Sequence, residues 1–345
     1  MSENNICQIL VRNLSSLKSK RPLFINLAAD SFIQDYLLTY PDSQITTFNS
    51  NFQAYQQHQK NSAYPSYFDA TYQGELNHDL VIIQYPKAKA ELSFILAMLE
   101  SSLDSSAIVV IVGEKNSGIN SSKKIVESYL SHYQKNDSAR HCMLFSGRYQ
   151  QSGKNFVLND WFNEYPLNIA GTCIKVAALP GVFSQKKLDI GTRVLLENLP
   201  NIKPTKLLDF GCGAGVIASF IANQHADISL TLADVSALAI SSAKRTLAMN
   251  QLTGDVIATD SLSHIKGQFD VVITNPPFHQ GLKTNYHATE SFLTGINKNI
   301  DNNGELIVVA NNFLTYKPIM QKNFAKVNEL VNQQGFIVYH CLKKN

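Results

Sequence analysis

The sequence predicts an α/β protein made of two tandem Rossmann-like domains with mostly parallel sheets, the N-terminal one degenerate. Three observations carry the prediction. Short apolar or β-branched runs alternate with helical stretches through both halves, the rhythm of a doubly wound sheet. A glycine-rich loop, Asp209-Phe210-Gly211-Cys212-Gly213-Ala214-Gly215, separates one such run from the helix that follows it. The segment His78-Asp79-Leu80-Val81-Ile82-Ile83-Gln84-Tyr85-Pro86-Lys87 also aligns with Phe269-Asp270-Val271-Val272-Ile273-Thr274-Asn275-Pro276-Pro277-Phe278 as if copied.

In the N-terminal half, strands are expected at 23–27, 45–48, 80–83 and 108–111. The first of them leads into Ala28-Ala29-Asp30-Ser31, with no glycine to let the backbone approach a cofactor. Gln84-Tyr85-Pro86-Lys87 stands where the other half has Asn-Pro-Pro-Phe, so this half is read as a copy that has lost its chemistry. Trp161, Pro166, Pro180 and several glycines then interrupt the periodicity. These features place a first domain at 1–155, a linker and entry segment at 156–185, and a second domain at 186–345. A chain of 345 residues exceeds the usual size of one hydrophobic core, which agrees with two domains. In the second half the expected order is a strand at 206–209, a helix to residue 224, a strand at 229–232 and a helix from 236 to 250. Further strands follow at 255–258, 269–274, 305–310 and 336–342.

Composition narrows the function classes. With 44% hydrophobic and 17% charged residues the chain reads as soluble and globular, and no apolar run approaches the roughly 18 residues of a membrane helix. The polar start Met1-Ser2-Glu3-Asn4-Asn5 does not resemble a secretory signal, so the cytoplasm is the expected compartment. The five cysteines, Cys7, Cys142, Cys173, Cys212 and Cys341, are odd in number and widely spaced. They are expected to be free thiols, with no disulfide framework and no metal. A net charge of +3 permits an RNA partner without requiring one.

The candidate chemistry lies at strand ends. Gly211, Gly213 and Gly215 sit between a strand and a helix, where glycine can adopt positive φ and expose backbone N–H groups to a ligand. Such a loop serves dinucleotides, nucleotides and S-adenosylmethionine alike, and its G-x-G-x-G spacing lacks the last glycine of the usual dinucleotide form. Asp209, just before the loop, is expected to orient it or to face a cationic ligand. Asp234, at the end of the next strand, is placed to accept ribose hydroxyls, and Asp260, at the end of the third, to receive an adenine amino group. The alternative for each is to cap the helical segment that follows it; binding is favoured for Asp234, and the two readings are even for Asp260. Cys212, inside the loop, is read as a small packed side chain.

Asn275-Pro276-Pro277-Phe278 narrows the choice to methylation of a planar nitrogen. The lone pair of such a nitrogen is delocalised into its π system, so it is a poor nucleophile. An amide oxygen on Asn275 and the carbonyl of Pro276 can each accept one N–H, aiming the lone pair at a methyl donor. Phe278 can stack on the flat acceptor, and the prolines stiffen the turn. Positioning of this kind can supply roughly 7–11 kcal/mol of a barrier. No tuned general base is required, and the adjacent His279 is a candidate to take the released proton.

These motifs resemble the class I S-adenosylmethionine-dependent methyltransferases, and more narrowly the bacterial small-subunit ribosomal RNA methyltransferase C family. The narrower resemblance rests also on Leu179-Pro180-Gly181-Val182-Phe183-Ser184, Leu188-Asp189-Ile190-Gly191 and Asp234-Val235-Ser236. In the first half it rests on Tyr85-Pro86-Lys87, on Val112-Gly113-Glu114-Lys115-Asn116-Ser117-Gly118 and on Ser138-Ala139-Arg140-His141-Cys142. It implies seven-stranded sheets and S-adenosylmethionine as co-substrate. It implies methylation of the N2 amine of guanine 1207 of 16S rRNA in the assembled small subunit. It also implies an N-terminal half that takes no cofactor and supports RNA binding or folding. By position, Gly211, Gly213, Gly215 and Asp234 would contact the donor, Asn275, Pro276 and Phe278 the guanine, and Phe183 and Ser184 would belong to a flap near the donor. A monomer is expected. The acceptor itself stays open on the motif alone: a protein glutamine amide or adenine N6 fits the same geometry, and a non-catalytic RNA-binding or assembly protein would keep the fold.

Overall fold

The computed structural model describes residues 4–276 and 283–343, and the chain forms two compact units, Met1–Trp161 and Phe162–Asn345. The first unit runs α1 (Asn5–Arg12), β1 (Pro22–Ile25), α2 (Ser31–Thr39), β2 (Thr46–Asn49), α3 (Phe52–Gln59), β3 (Ser66–Phe68), β4 (His78–Gln84) and α4 (Lys89–Met98). It continues through β5 (Leu103–Glu114), α5 (Ser122–Val126), β6 (Leu130–Ala139) and β7 (Cys142–Tyr149). Its seven-stranded sheet has the order β3-β2-β1-β4-β5-β7-β6, parallel as far as β5 and antiparallel in the last two pairings. Asn4, Asp30 and Asn51 start α1, α2 and α3 by accepting the backbone N–H of Ile6, Phe32 and Ala54. Each such cap contributes about 1 kcal/mol.

The second unit opens with a hairpin, β8 (Asn163–Ile169) and β9 (Thr172–Ala178), followed by α6 (Ile190–Glu197), β10 (Lys206–Phe210), α7 (Val216–Ala222), β11 (Ser229–Asp234) and α8 (Ala237–Met249). Then come β12 (Asp255–Ala258), β13 (Phe269–Thr274), α9 (Lys283–Gly295), β14 (Ile300–Asn311), α10 (Lys317–Asn323), β15 (Phe324–Gln333) and β16 (Phe336–Lys343). The sheet order, β12-β11-β10-β13-β14-β16-β15, repeats that of the first unit.

The repetition reaches individual hydrogen bonds. Asp79 opens β4 and accepts the backbone N–H groups of Lys20 and Arg21 ahead of β1; Asp270, in β13, does the same for Thr205 and Lys206 at β10. After β1 the chain turns at Asn26, with φ of 56°, and its N–H donates to Phe48 O at 2.9 Å. After β10 it turns at Gly211, with φ of 73°, and its N–H donates to Ala233 O at 2.8 Å. Asn49 ends β2 where Asp234 ends β11. The resemblance seen between 78–87 and 269–278 is thus one of backbone architecture.

Where expectation and structure differ, polarity explains it. β3, β6, β7 and β15 were not expected: the edge strands β3, β6 and β15 lack an apolar run, their side chains mostly half-buried or exposed, and β7 is broken by Ser146-Gly147-Arg148. The division between units falls at Trp161, and residues 163–178 of the expected linker form the β8–β9 hairpin. The free edge of β9 is held by side chains of α8. Ala177 N–H donates to Thr246 Oγ1 at 3.0 Å, Leu179 N–H to Ser242 Oγ at 3.0 Å, and Lys175 N–H to Asn250 Oδ1 at 2.9 Å. Polar residues on one face of α8 thereby replace a neighbouring strand.

Candidate functional site

Strand order reverses between β10 and β13, and a doubly wound sheet opens a ligand crevice there, beyond the strands' carboxyl ends. The glycine loop leaves β10 at this point and Asn275-Pro276 leaves β13. Thr274 Oγ1 donates to Phe210 O at 2.7 Å, tying the two strand ends together, and Phe210 stacks on Phe292 with ring centroids 4.5 Å apart.

Gly211, Gly213 and Gly215 all have positive φ, 73°, 53° and 73°. A Cβ on Gly215 would stand 3.1 Å from Leu232 and 3.2 Å from Ala243, so that glycine lets α7 lie close on β11 and α8. At Gly211 and Gly213 a Cβ would meet nothing within 4 Å, so the loop's outer face is open there. One sequence-based expectation is corrected. The loop's N–H groups do not point outward: Gly211 and Cys212 donate to Ala233 O, Gly215 to Cys212 O, and Gly213 to Asp234 Oδ2 at 2.9 Å. Such a loop offers little to a phosphate, which needs free backbone donors. Asp234, half-buried at the end of β11, offers a carboxylate beside the loop, which suits a hydroxyl-bearing ligand.

Asp209 is buried at the end of β10, and one carboxylate oxygen accepts the Ala218 N–H at 3.1 Å, capping α7 where Gly215 has no side chain to do so. Its other oxygen, Oδ1, is buried with no partner among the described residues. Burial pushes the Asp209 carboxyl up to about 7; the Ala218 N–H opposes this and the nearby Asp234 charge adds to it. Asp234 accepts Gly213 N–H on one oxygen and Ser236 N–H on the other, each at 2.9 Å, and burial raises its pKa as well. The side-chain cap of α8 is Ser236, two residues beyond it. Asp260 receives Ser261 Oγ at 3.2 Å and lies 3.7 Å from His264 Nδ1, on the loop after β12. Cys212 is buried inside the loop, and burial raises its thiol well above the ordinary value, so it is held as the neutral thiol.

A pH dependence follows. The folded chain holds the Asp209 proton up to about pH 7, whereas the unfolded chain releases it near pH 4. The unfolded state therefore binds fewer protons across that window, and stability falls as pH rises from about 4 to about 7. Asp209→Asn keeps an acceptor for Ala218 and removes the titration. The fall in unfolding midpoint between pH 5 and pH 8, measured without donor, is expected to be smaller in that variant than in the wild type. An equal fall in both would remove Asp209 as the cause.

Asn275 follows β13 as a half-buried side chain whose amide nitrogen donates to Thr192 Oγ1 at 2.8 Å and to Asp189 Oδ1 at 3.4 Å. Asp189 is the N-cap of α6, accepting Thr192 N–H at 3.0 Å. It also receives Ser184 Oγ at 3.2 Å, and the Ser184 carbonyl is held by Tyr165 OH at 2.9 Å. Burial, with the Asp189 charge, pushes the Tyr165 phenol up to about 12, so it stays a hydrogen-bond donor at working pH. Pro276 is buried; Phe278 and His279 lie outside the described residues. Phe183, on the segment leading to α6, is 62% exposed, unusual for a ring of that size. Sequence reasoning did not single out Asp189 and Thr192 for the site. A capping signal before 190–197 was readable, but its reach across to β13 exists only in the folded chain.

Among the described residues no helix is long and apolar enough to cross a membrane. Comparison with known proteins agrees with this architecture. Residues 173–340 match the family model of the Methyltransferase small domain, and residues 7–165 match that of its N-terminal counterpart. The fold is similar to that of a T. thermophilus 16S rRNA N2 G1207 methyltransferase solved with AdoMet and guanosine. The TM-score is 0.85 at 19% identity, covering 99% of this chain and 93% of that one. Ribosomal RNA small subunit methyltransferase C of Photobacterium profundum is 37% identical, over 99% of this chain and 100% of its own. The protein of that name from Colwellia psychrerythraea is 45% identical, over 99% of this chain and 98% of its own. With that identity spread over both units, the chain belongs to the ribosomal RNA small subunit methyltransferase C family.

Proposed function

We propose that this chain transfers the methyl group of S-adenosylmethionine to the exocyclic N2 amine of guanine 1207 in 16S rRNA, in the assembled small subunit, and works as a cytoplasmic monomer. The observation that carries the reading is the Asn275 amide, held with its nitrogen turned toward α6, beside an open loop bordered by the Asp234 carboxylate. The guanine position is that of the T. thermophilus protein of similar fold.

The residues fit the donor. Asp234, half-buried at the end of β11, suits its ribose hydroxyls, while the buried Asp209 orients the loop by holding the start of α7. Gly211 and Gly213 leave room above the loop, Phe183 is free to cover the donor, and Asp260 borders the adenine side. When bound, S-adenosylmethionine supplies an electrophilic methyl group on a positively charged sulfur. The chain's own work is positional. Asn275 Oδ1 and the Pro276 carbonyl accept the two N–H groups of the amine, and Phe278 stacks on the base. The nitrogen lone pair forms the new N–C bond as the S–C bond breaks. The methylated amine then releases one proton to water or to a neighbour such as His279. The first unit, which keeps the fold but has Asn49 where the second has Asp234, takes no cofactor and supports RNA binding or folding. Its cations Lys87, Lys115 and Arg140 lie exposed on the segments that follow its strands, and the exposed Lys89 opens α4.

The test is to incubate labelled S-adenosylmethionine with isolated small subunits, naked rRNA and a protein extract, then digest the acceptor to nucleosides. N2-methylguanosine from subunits is expected. Label confined to glutamine in protein, or to N6-methyladenosine, would replace the reading by one of its rivals.

A further inference from the structure

We infer that Asp189 and Thr192 are positioning residues that fix which face of the Asn275 amide meets the acceptor amine, an inference that rests on the function proposed above. A side-chain amide has two ends of nearly equal shape, an oxygen that accepts and an NH2 that donates. Presented oxygen-first it receives an amine N–H; presented NH2-first it opposes one. Nothing in Asn275 itself selects between them. The first turn of α6 does. Thr192 Oγ1, at 2.8 Å, and Asp189 Oδ1, at 3.4 Å, lie against the amide nitrogen. Both are placed to accept its two protons, so Oδ1 is the end left for the crevice.

The two acceptors are themselves fixed. Thr192 is 6% exposed on α6, and its backbone N–H donates to Asp189, closing the helix cap. Asp189 takes a further donor from Ser184 Oγ, and Tyr165 holds the Ser184 carbonyl. Gly191, between them, admits the ring of Phe336: a Cβ there would stand 2.8 Å from Phe336 Cε1, so α6 lies tight on β16. A turned amide would set its oxygen against a carboxylate oxygen, a like-charged contact with no hydrogen between them. Withdrawing the amide protons toward a carboxylate also enriches Oδ1 in negative charge, strengthening the bond it accepts. Neither residue touches the reacting atoms; both act through Asn275.

The experiment compares wild type, Thr192→Val, Thr192→Ser and Thr192→Val in an Asn275→Ala background, with small subunits as acceptor and donor affinity measured by calorimetry. Thr192→Val, which keeps the shape and loses the acceptor, is expected to lower kcat by about tenfold with donor Kd within about twofold of wild type. Thr192→Ser should recover most of the rate. In the Asn275→Ala background the valine should cost nothing further, since there is no amide left to orient. Should the valine variant fail to fold, Thr192→Ala reads the same cycle. A full rate in Thr192→Val, a serine variant as slow as the valine one, or an additive loss with Asn275→Ala would overturn the inference. A wild-type chain that transfers no methyl to subunits would overturn the proposed function, and this inference with it.

Discussion

Asn275→Ala is expected to bind S-adenosylmethionine as the wild type does and to transfer its methyl group slower by on the order of 10² to 10³. The size follows from what the side chain does. It is a preorganised acceptor already turned and held by α6, so orienting it costs nothing at the moment of reaction. Removing it leaves the amine with one protein acceptor, the Pro276 carbonyl, and a lone pair free to swing away from the methyl group. The proposed donor site, after β10 and β11, is untouched. Single-turnover transfer to small subunits, with donor affinity measured separately, checks both halves. Undiminished transfer would refute the role given to Asn275, and a parallel loss of donor binding would relocate it.

Asp234 is expected to show the opposite signature. Asp234→Ala should weaken donor binding by roughly 10- to 100-fold, as losing a hydrogen bond to a charged group does. The transfer rate at saturating donor should change far less. The variant removes the acceptor proposed for the donor's hydroxyls and also releases the Gly213 N–H, so the loop loses one of the bonds that shape it. Asp234→Asn retains one acceptor oxygen and should fall between the two. Calorimetric titration of S-adenosylmethionine into the three proteins decides it. Equal affinities would take Asp234 out of the donor site.

The central parallel strands were legible because strands buried on both faces read as continuous apolar runs: β10 and β13 fall where the runs at 206–209 and 269–274 placed them. The antiparallel strands β6 and β15 were not, since an edge strand half in water carries a polar sequence with no run to find. The turns at Gly211, Gly213 and Gly215 announce themselves, because only glycine takes positive φ without strain. Asn26 takes the same turn with a side chain that tolerates it, and so left no comparable mark. Where the loop's donors go was beyond the sequence: Ala233 O and Asp234 satisfy them only after β11 has paired with β10. The clamp on Asn275 was hidden for the same reason, its two ends lying in α6 and after β13.

That the turn after the first strand is closed by the chain's own bonds has a consequence for how such a protein can change over time. A loop that needs its ligand to satisfy its backbone cannot lose the ligand without unravelling. Here the Asn26 N–H and the Gly211 N–H are each met by the carbonyl of a neighbouring strand, whatever stands beyond the loop. The first half can therefore hold this turn with Asn26 where the second has Gly211, and end β2 with Asn49 where the second has Asp234, and remain folded. Folding of this turn is thereby uncoupled from ligand binding, and the residues beyond it are left to be shaped by other work.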